Sequence, residues 1–183
     1  MQASARANLD ASGALSGELG LDFGKTWVSF GKSTVSGSGR VELGLRQPDV
    51  RRDGGWFERV SLSVDRTRLV TRTGDTGRGW VRAVASTIPF RGYVPQSVDA
   101  RVQAGFPAAL PVLSAFGVRL EGVPGALARH LNLSELKVQA AIAHAGESTE
   151  VDLERAWTHA VSGHGKWRMS PGAERGAFLL AAD

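Results

Sequence analysis

Leu136-Lys137-Val138-Gln139-Ala140-Ala141-Ile142-Ala143-His144, followed after a short break by Glu150-Val151-Asp152-Leu153-Glu154, decides the fold class. Leu136, Val138, Ala140 and Ile142 fall on every second position, and Val151 and Leu153 sit between three acids. A repeat of two is the mark of a strand with one buried face. Ala145-Gly146-Glu147-Ser148 lies between the two runs and reads as the tip of a hairpin.

The same pattern recurs outward along the chain. Val98, Ala100, Val102 and Ala104 face away from Asp99, Arg101 and Gln103. Val60, Leu62 and Val64 alternate with Ser61, Ser63 and Asp65; Val41, Leu43 and Leu45 alternate with Arg40, Glu42, Gly44 and Arg46. Leu15, Gly17, Leu19, Leu21 and Phe23 share a face against Ser16, Glu18, Gly20 and Asp22. Strands buried on both faces read as unbroken apolar runs, whereas clean alternation belongs to antiparallel sheets with one wet face. The apolar phase slips around Arg66-Thr67-Arg68-Leu69-Val70, which predicts a bulge or the end of pairing. Glycines within the runs, such as Gly37, Gly39 and Gly44, allow a sheet to bend and coil.

Turn signals fall where alternation stops. Ser12-Gly13 and Phe23-Gly24-Lys25 bound the second strand, and Gln47-Pro48-Asp49 ends the next before a charged loop through Gly54-Gly55. Gly74-Asp75-Thr76-Gly77 reads as another hairpin tip before Trp80-Val81. Two segments depart from the pattern. Phe106–Phe116, with Leu110, Leu113 and an early Pro111, and Val123–His130, with Pro124 at its start and Leu127 and Leu131 four apart, predict short helices closing one end of the sheet.

The expected fold is therefore all-β and mainly antiparallel: one β-rich domain over residues 1–183, a twisted, partly open, taco-like groove with one or two short helices. A closed β-sandwich is the alternative, because alternation does not say whether the apolar face packs on a second sheet.

With 183 residues, 42% hydrophobic and 22% charged, the chain has the length and composition of one globular domain. Cysteine is absent, which removes disulfide scaffolds, thiolate metal sites and thiol nucleophiles. No apolar run reaches the roughly 18–20 residues of a membrane-spanning helix. Met1–Arg6 lacks the basic-then-apolar layout of a signal peptide.

Catalytic signatures fail on spacing. Gly24-Lys25-Thr26 and Gly31-Lys32-Ser33 resemble phosphate-loop ends, but the required upstream positions hold Leu19 and Thr26, and strand patterns follow both. Ser162-Gly163-His164-Gly165 has the wrong order for a nucleophile elbow. His144, His159 and His164 could meet across strands as a metal or hydrolytic site, but none lies two or four residues from another; His144 continues an apolar face and His164 reads as a turn residue. The arginines of the first half (Arg46, Arg51, Arg52, Arg66, Arg68, Arg72, Arg78 and Arg82) are interspersed with Asp49, Asp53, Asp65 and Asp75, and no aromatic ladder accompanies them. That pattern predicts a solvated outer face, with contact to anionic lipid headgroups as the alternative and no nucleic acid as partner.

Val98-Asp-Ala-Arg-Val102, Phe106-Pro-Ala-Ala-Leu-Pro-Val-Leu-Ser-Ala-Phe116, Leu133-Ser-Glu-Leu-Lys-Val-Gln-Ala140 and Ser162-Gly-His-Gly-Lys-Trp167 with Gly176-Ala-Phe-Leu-Leu180 share one texture, echoed by Ser36-Gly-Ser-Gly-Arg-Val-Glu-Leu43. In it the chain resembles the AsmA-like and TamB-like envelope proteins, bacterial members of the repeating β-groove lipid-transfer superfamily. The resemblance implies a segment of a longer repeat protein on the periplasmic side of the cell envelope, its membrane anchor outside this chain. It also implies a non-enzymatic, cofactor-free trough for phospholipid or other acyl chains, in phospholipid transport or outer-membrane assembly, with envelope protein partners at open sheet edges. The residues expected to line the trough are Val41, Leu43, Leu62, Val64, Val98, Val102, Leu136, Val138, Ile142, Val151 and Leu153. A structural or adhesive β-domain that binds another protein is the rival reading.

Overall fold

The computed structural model describes residues 2–30, 33–92, 94–115, 125–159 and 161–182. Twelve strands and two helices follow in the order β1 (Gln2–Leu9), β2 (Leu15–Phe30), β3 (Ser33–Gln47), β4 (Gly54–Thr71), β5 (Gly74–Asp75), β6 (Gly79–Arg91), β7 (Val94–Pro95), β8 (Ser97–Phe106), α1 (Ala109–Ala115), α2 (Gly125–Leu133), β9 (Leu136–Ala145), β10 (Ser148–Trp157), β11 (Val161–Ser170) and β12 (Ala173–Ala182). They form one sheet in the spatial order β1-β2-β3-β4-β6-β8-β9-β10-β11-β12, with β5 on β4 and β7 on β6. The sheet is antiparallel, twisted and open, so the closed sandwich does not form.

Register carries the alternation across the sheet. Val41 lies opposite Leu62, Leu62 opposite Ala83, Ala83 opposite Val102, and Val102 opposite Ala140. One rung nearer the helices, Val64, Val81, Ala104, Val138 and Ala156 are joined in the same way. Directly opposed residues share a face, so the apolar positions of neighbouring strands merge into one surface. The other face carries cross-strand ion pairs: Arg46–Glu58 at 3.0 Å, Arg82–Asp65 at 2.7 Å, Lys166–Asp152 at 2.6 Å and Arg168–Glu150 at 2.8 Å. Such exposed pairs are screened by solvent, so they keep this face soluble more than they hold the sheet together.

The phase slip near Arg66 is a bulge: pairing with β6 shifts between Asp65 and Thr67, and Arg66 has φ 54°. A second irregularity, at Arg59 with φ 53°, lies where the β3–β4 register shifts. Across from it the buried positions of β6 pass from odd (Ala85) to even (Ile88, Phe90). That phase change hides β6 from a simple alternation count. Two expected boundaries move. Phe23-Gly24-Lys25 does not end the second strand; β2 continues to Phe30 with a register shift between Phe23 and Thr26. Gly54 and Gly55 open β4 instead of lying in the preceding loop.

Two close approaches explain inward-facing glycines. A Cβ at Gly39 would overlap the Ser63 carbonyl oxygen and come within 2.8 Å of Val64 Cα; one at Gly79 would overlap the Gly105 carbonyl. Side chains are excluded there because adjacent strands coil tightly across the apolar face.

The core sits at the end of the sheet that the helices cover. Ala109, Val112 and Leu113 of α1 and Leu131 of α2 pack with Leu69, Phe106, Leu136, Ala156 and Val161. Pro111 is fully buried in the first turn of α1, where a missing N–H costs no helical hydrogen bond. Phe116, Val123 and Pro124, expected at the inner ends of the two helices, lie outside the described residues. Beside this core Thr76 is 1% exposed; its hydroxyl accepts from the Leu69 N–H and donates to the Gly77 carbonyl, both at 3.0 Å, fixing the β4–β6 turn.

Candidate functional site

Where α1 meets the sheet, the apolar face encloses a cavity of about 400 Å³. Its wall begins at Val112, Leu113 and Ala115 of α1, with Leu69 and Phe106, and runs along the strands to Ile142, Val151 and Trp167. Among the lining residues Thr67 is the one hydroxyl, and that hydroxyl is turned to the Val64 carbonyl at 3.4 Å. Every other described residue on the wall presents hydrocarbon, apart from the indole of Trp167.

Such a space follows from the local sequence. Ala104, Ala140 and Ala156 occupy inward positions between larger neighbours, so the wall is shallow in the middle. Trp167 lies across Gly176, its directly opposed neighbour on β12, where any Cβ would collide with the indole. Water gains no hydrogen bonds from such a lining, and the wall atoms lack dispersion partners on one side. The arrangement can take up an apolar group of ligand size, since small-molecule pockets run about 300–1,000 Å³.

Six of the expected lining residues border this cavity: Val102, Leu136, Val138, Ile142, Val151 and Leu153. Val41, Leu43, Leu62 and Val64 lie on the same apolar face but away from the wall, which reaches β3 and β4 only at Val35, Thr67 and Leu69. The space forms where α1 roofs the sheet, and these residues lie farther along the same apolar face. Val98 also lies beyond the wall, opposite His144. Ala104 and Ala140 share the alternation and were legible; Val81 lies on β6, whose phase change hides it; Val112, Leu113 and Ala115 come from a helix whose docking no periodicity encodes.

The polar constellations resolve into local contacts. His144 Nδ1 lies 2.8 Å from Thr149 Oγ1, and His130 Nε2 lies 3.0 Å from Ser134 Oγ. His164 is exposed in the middle of β11, in register with Leu179, and is not a turn residue. No group of three or more His, Asp or Glu among the described residues could hold a metal ion. Gly24-Lys25-Thr26 lies inside β2. A polar depression of about 530 Å³ is bordered by Arg6, Glu18, Arg40, Glu42 and Arg59, where Arg40 pairs with Glu42 at 2.8 Å and Arg59 with Glu18 at 3.1 Å. Hydrogen bonds to Asp152 and Glu150 raise the pKa values of Lys166 and Arg168, respectively, above their ordinary range. These charges serve one another on the outer face.

No helix among the described residues is long and apolar enough to cross a membrane. Comparison with known proteins finds no matching family model, curated protein or solved structure.

Proposed function

We propose that this chain is a non-enzymatic module that holds an acyl chain in its β-groove, acting on the periplasmic side of a bacterial cell envelope in phospholipid transport or outer-membrane assembly. One observation carries the acyl-chain reading: a cavity of about 400 Å³ whose wall is almost wholly hydrocarbon, on an open sheet. Each methylene moved from water into such a lining gains about 0.8 kcal/mol, so a continuous apolar wall suffices and no reacting group is required. The envelope location and the transport role rest on the resemblance to AsmA-like and TamB-like proteins.

Native mass spectrometry of the purified chain, followed by lipid extraction, tests the reading. Co-purified phospholipid or fatty acid, or stoichiometric uptake of added lipid, is the expected result. A chain that stays ligand-free after incubation with phospholipid and fatty acid would sink it.

A protein-binding role draws on a different place. Among the described residues no strand other than β3 pairs with β2 beyond Asp22, and there Trp27 is 69% and Val28 65% exposed. An unpaired edge bearing large apolar side chains is a template for another strand. Envelope protein partners would be met at this edge or along β12.

A further inference from the structure

The hydrocarbon wall ends in a polar pair. Ile142 on β9 and Val151 on β10 are directly opposed and both border the cavity. Two residues farther from α1 on each strand, the period of two returns His144 and Thr149 to the same face, again directly opposed. His144 Nδ1 and Thr149 Oγ1 are 2.8 Å apart, and both residues are half-buried. The flanking positions on this rung are Val98 on β8 and Met169 on β11. An imidazole and a hydroxyl are thus set in apolar surroundings at the limit of an apolar cavity, and they satisfy each other through one ring nitrogen.

The other ring nitrogen, Nε2, is left to a ligand. It carries N–H when the Thr149 hydroxyl donates to Nδ1, and also when the ring is protonated. We infer that His144, held by Thr149, is the headgroup contact of the groove: Nε2–H donates to an anionic oxygen, carboxylate or phosphate, of an amphiphile whose tail runs toward α1. The inference rests on the acyl-chain reading above and adds a headgroup class and an orientation to it. From Leu136 beside α1 to His144 is eight residues of strand, or about 26 Å at roughly 3.3 Å per residue, which leaves room for a tail below the headgroup. A hydrogen bond to a charged oxygen is stronger than one to a neutral hydroxyl, so the pair discriminates by charge.

The test titrates the full chain by calorimetry with palmitic acid, hexadecyl phosphate and hexadecanol, which share a tail and differ in headgroup. At least one of the two anionic ligands is expected to bind about tenfold tighter than the alcohol; which one does so separates a fatty-acid site from a phosphate-lipid site. His144→Phe should abolish that preference while keeping affinity for hexadecanol, and Thr149→Val, close in shape, should weaken the preference. Equal binding of all three ligands by the unaltered chain, or a preference that survives in a folded His144→Phe variant, overturns the headgroup assignment and leaves the acyl-chain reading standing. Failure of all three to bind the unaltered chain overturns both.

Discussion

Val35 on β3 and Trp167 on β11 border the same cavity although five strands lie between them in the sheet. In a flat sheet six steps of about 4.8 Å would put their strands about 29 Å apart. They can meet one void only because the sheet coils around its apolar face. Bulges at Arg59 and Arg66, and glycines such as Gly39 that bring strands together without side chains, supply the local bending.

Trp167 is the one tryptophan on the cavity wall, so it reports occupancy. Addition of an acyl ligand is expected to shift and intensify tryptophan emission, and Trp167→Phe should remove most of that response while binding, followed by calorimetry, persists. An undiminished emission change in the variant would place the ligand elsewhere.

Val138 and Leu136 both border the cavity but differ in how deeply they are packed. Val138 is partly buried, whereas Leu136 is 3% exposed and belongs to the packed cluster beneath the helices. Val138→Asp should abolish acyl retention in native mass spectra with a modest fall in melting temperature. Leu136→Asp places an unpaired carboxylate in the packed cluster and should cost several kcal/mol, enough to unfold so small a domain. Lipid retained by a folded Val138→Asp variant would show that this residue does not face the ligand.

Gly39→Ala tests the coil. Its new Cβ would overlap the Ser63 carbonyl and crowd Val64 Cα, so β3 and β4 must separate. A loss of about 1–3 kcal/mol is expected in urea denaturation. Gly24→Ala meets nothing within 4 Å and serves as the control, with an expected change near zero. Equal effects at the two positions would remove the packing explanation.

Asp75 gives the fold a share of its acid sensitivity. Arg68 Nε donates to Asp75 Oδ2 at 2.7 Å and Nη2 donates to the same oxygen, while the Gly77 N–H reaches Oδ1 at 2.9 Å. The Arg68 hydrogen bond is the main reason that the Asp75 carboxyl is held below its ordinary pKa. Its contribution is therefore full above the unfolded value of about 3.9 and is lost as pH falls through the lower folded value. Both side chains meet solvent, which screens the pair and keeps its contribution small. Asp75→Asn should flatten the decline of stability below about pH 4 without changing stability's pH dependence between pH 6 and 8. Parallel stability–pH curves for the two proteins would refute the assignment.

Strand positions were largely legible because a residue's face in a strand depends on parity alone. Val98 to Ala104 and Leu136 to Ile142 lie where alternation places them, and the slip at Arg66 is a real bulge. Where two irregularities oppose each other, as near Arg59 and Ser86, parity breaks in both strands and β6 loses its signal. β1 was faint for another reason: its apolar positions are mostly alanine, too small to stand out. The same limit applied to the cavity, whose shallow middle is set by Ala104, Ala140 and Ala156.

By itself the amino-acid sequence determined that this chain is an antiparallel β protein with one apolar and one charged face and short helical segments at one end, because period-two patterning is a local property that each strand carries. Only the tertiary structure decided that the sheet stays open instead of closing as a sandwich, and that α1 roofs the apolar face to leave a cavity between Val35 and Trp167. Tertiary structure likewise decided that Val41, Leu43, Leu62, Val64 and Val98 fall outside its wall. Coil, edge pairing and helix docking depend on contacts between residues far apart in the chain, and no repeat in the sequence records the distance between two strands once the sheet has curled.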